Sequence, residues 1–208
     1  DYDRAATVAE VLSDPFITTD YTQMLPYVDA VLIALPHDLH YECGMFFAHN
    51  KKHILMEKPL CNSEEECLRL IETCKQMQVT LMCAYPVRYW LGIVKLKELI
   101  DNGDLGEVYY VYVSFRCQRS IPGLGGAFTT KAIAGGGVLI DWGVHFLDIV
   151  MYCCGDPKPL TATAETFSKL ANPMTDYTYV SMWAGPPKYD GEYSVEEGIT
   201  GMVRTDGP

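Results

Sequence analysis

Short apolar runs of strand length, separated by stretches of helical period, organise the first part of the chain. Val31 to Leu35, Ile54-Leu55 and Val79 to Ala84 are the runs, and His40 to Asn50 and the stretch from Glu64 lie between them. That alternation is the βαβ rhythm of a parallel sheet. Ahead of it, Arg4 to Leu12 predicts a helix, Phe16 to Thr18 a short strand and Tyr21 to Leu25 a short helix. Asn62-Ser63-Glu64-Glu65-Glu66 predicts a capped helix start, with Ser63 as N-cap, Glu66 three residues on and an acidic first turn facing the helix dipole. Leu68, Ile71, Cys74 and Met77 share one face of that helix and are expected to pack on the sheet.

The rhythm changes at Tyr85-Pro86-Val87-Arg88. Beyond it, Trp90 to Asp101 predicts a helix stopped near Gly103, and Val108 to Phe115 alternates like a strand. Leu160 to Phe167, Tyr177 to Trp183 and Ile199 to Arg204 read as further strands of an antiparallel sheet. Arg116 to Gly137 is rich in Gly, Ser and Thr, lacks periodicity and leads into an apolar helix, Val138 to Cys154; an irregular segment of that length is a candidate functional loop. The predicted fold class is α/β: a Rossmann-type parallel sheet domain over residues 1–86, then an α+β domain with a mostly antiparallel open sheet over residues 87–208.

Composition narrows the function classes. With 208 residues, 49% hydrophobic and 21% charged, the chain can bury a core and is neither disordered nor fibrous. A formal charge of -11 argues against nucleic acid or an anionic membrane as partner, since both need a cationic face. The apolar helix is interrupted by Asp141, His145 and Asp148, which argues against a membrane span. Eight cysteines show no C-x-x-C pairing, and reduced packing residues of a cytoplasmic protein are the expectation.

Two short motifs carry the candidate chemistry. Met56-Glu57-Lys58-Pro59 puts a lysine at the carboxyl end of a strand, facing the crevice where open α/β sheets bind ligands. Gly135-Gly136-Gly137 precedes Asp141-x-x-x-His145, a spacing that places carboxylate and imidazole one helical turn apart. Oxidising a secondary alcohol needs a base at the hydroxyl oxygen, and an imidazole titrates near neutrality without help. His145 is therefore the predicted acid/base, Lys58 the group that polarises the reacting oxygen, and Asp141 the residue that orients substrate or imidazole. His37-x-x-His40 and His49-x-x-x-His53 have ligand-like spacings, but no Cys or carboxylate completes a set, so no metal is expected.

With those residues, the sequence resembles the Gfo/Idh/MocA oxidoreductases, named for glucose-fructose oxidoreductase and inositol dehydrogenase. The likeness runs through Asp29 to His40, Lys52 to Leu60, Arg88, Leu105-Gly106-Glu107-Val108 and the triple glycine with Asp141, Gly143, His145 and Asp148. It implies NAD or NADP as cofactor, with Asp1, Leu35, Pro36, His37, His40, Glu57, Lys58 and Arg88 on the cofactor side. It also implies hydride transfer to or from a secondary hydroxyl or carbonyl of a sugar, inositol or related polyol, in a homodimer or homotetramer. The family's opening strand and G-x-G-x-x-G turn have no counterpart here, so the chain reads as incomplete, with the first βα unit missing. Two alternatives stay open: an NAD-using glycosidase of the same fold, and a non-catalytic family-like binding protein.

Overall fold

A computed structural model describes residues 2–12, 15–118, 121–178 and 184–207. Helix α1 (Tyr2–Ala9) and a 3-10 turn (Tyr21–Tyr27) precede strand β1 (Ala30–Ile33), helix α2 (His40–His49), strand β2 (His53–Glu57), helix α3 (Glu64–Met77) and strand β3 (Leu81–Ala84). The three strands form one parallel sheet in the order β1-β2-β3, with Ile33 opposite Met56 and Glu57 opposite Ala84 at the carboxyl ends. Alternation along the strands turns Val31, Ile33, Ile54 and Met56 toward α2 and α3, where they meet Cys43, Phe47, Leu70 and Cys74. Burying these side chains is the main force that holds α2 and α3 on the sheet.

The cap at Ser63 forms as expected, its side chain accepting from the Glu66 amide. The buried face of α3 differs. Leu70 and Cys74 are enclosed whereas Leu68 is exposed, so the helix is rotated from the predicted stripe toward the i, i+4 pair that meets Met56 and α2. Phe16 to Thr18 forms no strand: Thr18 Oγ1 accepts from the Asp20 amide and also contacts Gln23, and this side-chain turn replaces a ladder.

After a 3-10 turn (Pro86–Tyr89) come helix α4 (Leu91–Asp101), the short helix α5 (Lys131–Ala134), a π-helical turn (Leu139–Gly143), helix α6 (Val144–Cys154) and two antiparallel strands, β4 (Pro159–Phe167) and β5 (Gly198–Thr205). Val108 to Phe115 pairs in no ladder among the described residues. The predicted strand from Tyr177 to Trp183 falls largely outside the described residues; Tyr177 itself is buried with Leu124 and Ala171. The stretch Lys131–Cys154 is apolar and long enough to cross a membrane by length and composition. In this fold it is broken by a glycine turn and a π turn, and its Asp141 and Asp148 pair with Lys58 and Arg88.

The triple glycine has a packing role as well as a place in the motif. Gly135 turns the chain at φ +80°, and a Cβ on Gly137 would lie 1.9 Å from the Glu196 carbonyl oxygen. The close approach lets the Glu196 carbonyl accept from Val138, while the Glu196 carboxylate accepts from the amides of Gly137 and Leu139. That satisfies donors at the start of the π turn. Gly137→Ala is therefore expected to lower stability by about 1–3 kcal/mol, as overpacking does, read by chemical denaturation of the full-length protein. An unchanged midpoint would show that the backbone at 137 relaxes freely.

Candidate active site

The site gathers at the carboxyl edge of the parallel sheet. Lys58 follows β2, and its ammonium donates to the Asp141 carboxylate at 2.8 Å and to the Asp141 main-chain carbonyl at 2.6 Å. Only 13% of the lysine side chain and 20% of the aspartate side chain are exposed, which weakens competition from water. A residue from a strand end and one from a helix 83 positions later thus form one charge pair.

The sequence expectation gave Asp141 two possible targets, substrate or imidazole. Asp141 engages Lys58, and the Nδ1 of His145 is buried, with no hydrogen-bond partner for it among the described residues. The π turn over Leu139–Gly143 carries Asp141, whose carboxylate and main-chain carbonyl both meet the Lys58 ammonium. The ring of His145 is instead bounded edge-to-face by Tyr85 and Trp142, each with centroids 6.1 Å away. Burial first, and then the neighbouring Lys58 cation, pull the His145 pKa below its ordinary 6.5. The ring is held neutral at pH 7 and can accept a proton.

The cofactor-side residues separate by exposure. Leu35 and Pro36 are exposed just past β1, and Glu57 is half-buried, its carboxylate accepting from the Lys58 amide at 3.2 Å. His37 is half-buried and donates from Nδ1 to the Ala134 carbonyl at 2.9 Å, which fixes its tautomer; burial dominates in lowering its pKa. His40 is 0% exposed, with both ring nitrogens facing main-chain carbonyls, so its side chain has no free polar atom for a ligand. Arg88 is committed to a two-pronged ion pair with Asp148 on α6 and lies over the Tyr152 ring at 4.8 Å. Asp1 lies outside the described residues. No group of three or more His, Cys, Asp or Glu able to hold a metal occurs among the described residues.

Glu196, Tyr85 and Trp142 escaped the sequence reading. Glu196 is 59 residues from the amide it caps and has no local signature. Tyr85 and Trp142 adjoin recognised motif residues, and an aromatic beside a candidate histidine was the available signal. The thiols behave as packing groups: Cys43, Cys61, Cys74 and Cys153 are buried and free, and burial pushes Cys61 up to about 12.

The two depressed imidazoles set a pH dependence. His37 and His145 are held below 6.5 when folded, so the unfolded chain binds protons that the folded one refuses. Stability is then full above pH 6.5 and declines as pH falls from there through the lower folded values. Melting temperatures of the full-length protein are expected to be level from pH 8 to 7 and to drop toward about pH 5, with His37→Gln/His145→Gln removing most of that drop. A wild-type melting temperature that stays flat to about pH 5 would contradict this.

A Rossmann-type parallel sheet with a buried lysine-carboxylate pair at its carboxyl edge, followed by an α+β unit, defines the class of protein. The family model described as an oxidoreductase family with an NAD-binding Rossmann fold matches residues 1–85, and the GFO/IDH/MocA C-terminal domain matches residues 93–207. The chain belongs to the GFO/IDH/MocA oxidoreductase family. It is 29% identical to D-glucoside 3-dehydrogenase of Escherichia coli K12 over 96% of this chain and 56% of that protein. It is 30% identical to myo-inositol 2-dehydrogenase of Thermotoga maritima over 63% of this chain and 37% of that protein. Among solved structures, levoglucosan dehydrogenase with NADH and levoglucosan superposes at TM-score 0.77 and 24% identity, over 99% of this chain and 53% of that one, a likeness of fold. The chain spans 56% and 60% of the length of the first two curated relatives it matches.

Proposed function

We propose that the full-length protein is an NAD(P)-dependent oxidoreductase acting between a secondary hydroxyl and the corresponding carbonyl of a sugar, inositol or related polyol. The observation that carries this reading is the Lys58 ammonium, held by Asp141 at 2.8 Å beside a neutral, half-buried His145. In this reading Lys58 stabilises negative charge growing on the substrate oxygen, Asp141 keeps the ammonium aimed, and His145 takes or returns the hydroxyl proton. When bound, the nicotinamide ring supplies the hydride acceptor or donor. The residues fit such a group: Leu35 and Pro36 offer exposed surface at the carboxyl end of β1, the place where open α/β sheets receive dinucleotides, with Glu57 beside them. Relatives named for glucoside and inositol dehydrogenation support the substrate class.

The same proposal divides the chain at 86/87 into cofactor and substrate domains. It also makes the protein cytoplasmic, consistent with its free buried thiols, and a homodimer or homotetramer, for which the exposed aromatics Tyr109, Tyr110 and Tyr112 offer surface. The test is a calorimetric titration of the full-length protein with NAD(H) and NADP(H), followed by turnover on a panel of polyols and sugars. Binding of one nucleotide with reduction of NAD(P) is the expected result. Absence of binding to folded protein would refute the reading, and glycoside cleavage without net reduction would replace it with the glycosidase.

A further inference from the structure

We propose that His40 is a positioning residue, a buried clamp that sets the distance between the two loops carrying the site, and that it touches neither cofactor nor substrate. The inference rests on the Lys58 site proposed above. The last ladder pair between β1 and β2 is Ile33 with Met56. Leu35 and Pro59 lie beyond it, where no strand pairing fixes the separation of the two exits. His40, at the first position of α2, fills that role: Nδ1 is 2.8 Å from the Pro59 carbonyl oxygen and Nε2 is 2.9 Å from the Leu35 carbonyl oxygen. Carbonyl oxygens only accept, so each ring nitrogen that bonds one does so through its own N–H, and the full bridge uses both ring N–H groups.

The clamp closes a circuit. One loop is tied to the other by His40, and the β1 exit is tied by His37 to Ala134, directly ahead of the triple glycine. The segment that follows carries Asp141, which returns to Lys58, the residue next to the clamped Pro59. The links through His37 and Asp141 span 97 and 83 positions, those through His40 only 5 and 19, and Lys58 is held from both ends: its backbone through Pro59, its ammonium through Asp141. An apolar side chain at position 40 could fill the same volume but would leave two main-chain carbonyls without this donor. The Lys58 loop would then shift relative to Asp141, and a misplacement on the order of 1 Å costs roughly 10- to 100-fold in rate.

The test uses the full-length protein in two arms. In the first, His40→Phe, which keeps a ring and removes both nitrogens, is expected to lower kcat roughly 10- to 100-fold while the KM for the polyol and the Kd for NAD(H) stay within about threefold. His40→Gln, whose amide offers two N–H donors, is expected to recover most of the loss. Full activity in His40→Phe, or equal losses in both variants, would overturn the clamp. The second arm needs no turnover: in wild-type protein labelled with 15N-histidine, the His40 ring N–H signal, assigned by its absence in whichever variant folds, should exchange slowly with solvent and keep its position when NAD(H) is added. Fast exchange, or a shift typical of a ligand contact, would overturn the proposal. A Lys58 substitution that leaves turnover intact would instead sink the underlying reading of the site, and the labelled-histidine arm would then decide the clamp alone.

Discussion

Replacing Lys58 by methionine is expected to reduce turnover of the full-length protein by about 10²- to 10³-fold, with the fold intact and NAD(H) affinity within a few-fold of wild type. The side chain is 13% exposed and makes two short contacts to Asp141, so its charge acts in a poorly screened place. Methionine matches much of the apolar stem and removes only the ammonium. The loss should fall on kcat, because charge on the substrate oxygen grows in the transition state and is small in the ground state. Lys58→Arg keeps the cation but spreads it over a planar fork that does not fit the two Asp141 oxygens in the same way, and should recover only part of the rate. Steady-state kinetics on the best polyol decide the matter. A Lys58→Met protein with wild-type kcat would remove Lys58 from the chemistry and leave it a structural ion pair.

Arg88→Leu is expected to destabilise the protein by about 3 kcal/mol, near the lower end of the cost of breaking a buried pair, because Arg88 itself is partly exposed. Its partner Asp148 is 8% exposed, and its carboxylate receives both prongs of the guanidinium. Removing the arginine leaves that carboxylate with no cation on α6, one helical turn from His145. The guanidinium also covers the Tyr152 ring, and that contact is lost with it. The double variant Arg88→Leu/Asp148→Leu should recover much of the stability, since the penalty lies in the abandoned charge. Denaturant unfolding of the three variants measures this directly, and additive losses would mean that the two residues contribute separately. The experiment also separates a structural Arg88 from a cofactor-contacting one, because a contact residue would change NAD(H) affinity at unchanged stability.

Local patterns in the sequence were sufficient for the parallel sheet. The runs at Val31, Ile54 and Val79 are apolar because these strands pack against helices, and β1, β2 and β3 form at those places. The cap at Ser63 was legible for the same reason, since donor and acceptor lie three residues apart. Phe16 to Thr18 shows where such reading stops: a short apolar run records a preference, and at this place a side-chain turn at Thr18 forms instead. Leu68 shows it again, because periodicity defines a stripe but the packing of α3 against α2 chooses its rotation.

The candidate site divides along the same line. Lys58, Asp141 and His145 were legible as residue types in specific motifs, and the placing of Lys58 after a strand followed from the order of apolar runs. Which of them pair was not legible. Helical spacing sets Asp141 near His145, but the bond it makes is to Lys58, 83 positions away. His40, grouped by resemblance with cofactor contacts, is enclosed between two carbonyls whose residues are 5 and 19 positions away. The sequence by itself determined the strands, the capped helix and the chemical groups available, because those depend on neighbours within a few residues. Only the tertiary structure decided which charge meets which and which imidazole is free, because hydrogen bonds and ion pairs act over about 3 Å and that distance is closed by the fold, across chain separations that no local pattern encodes.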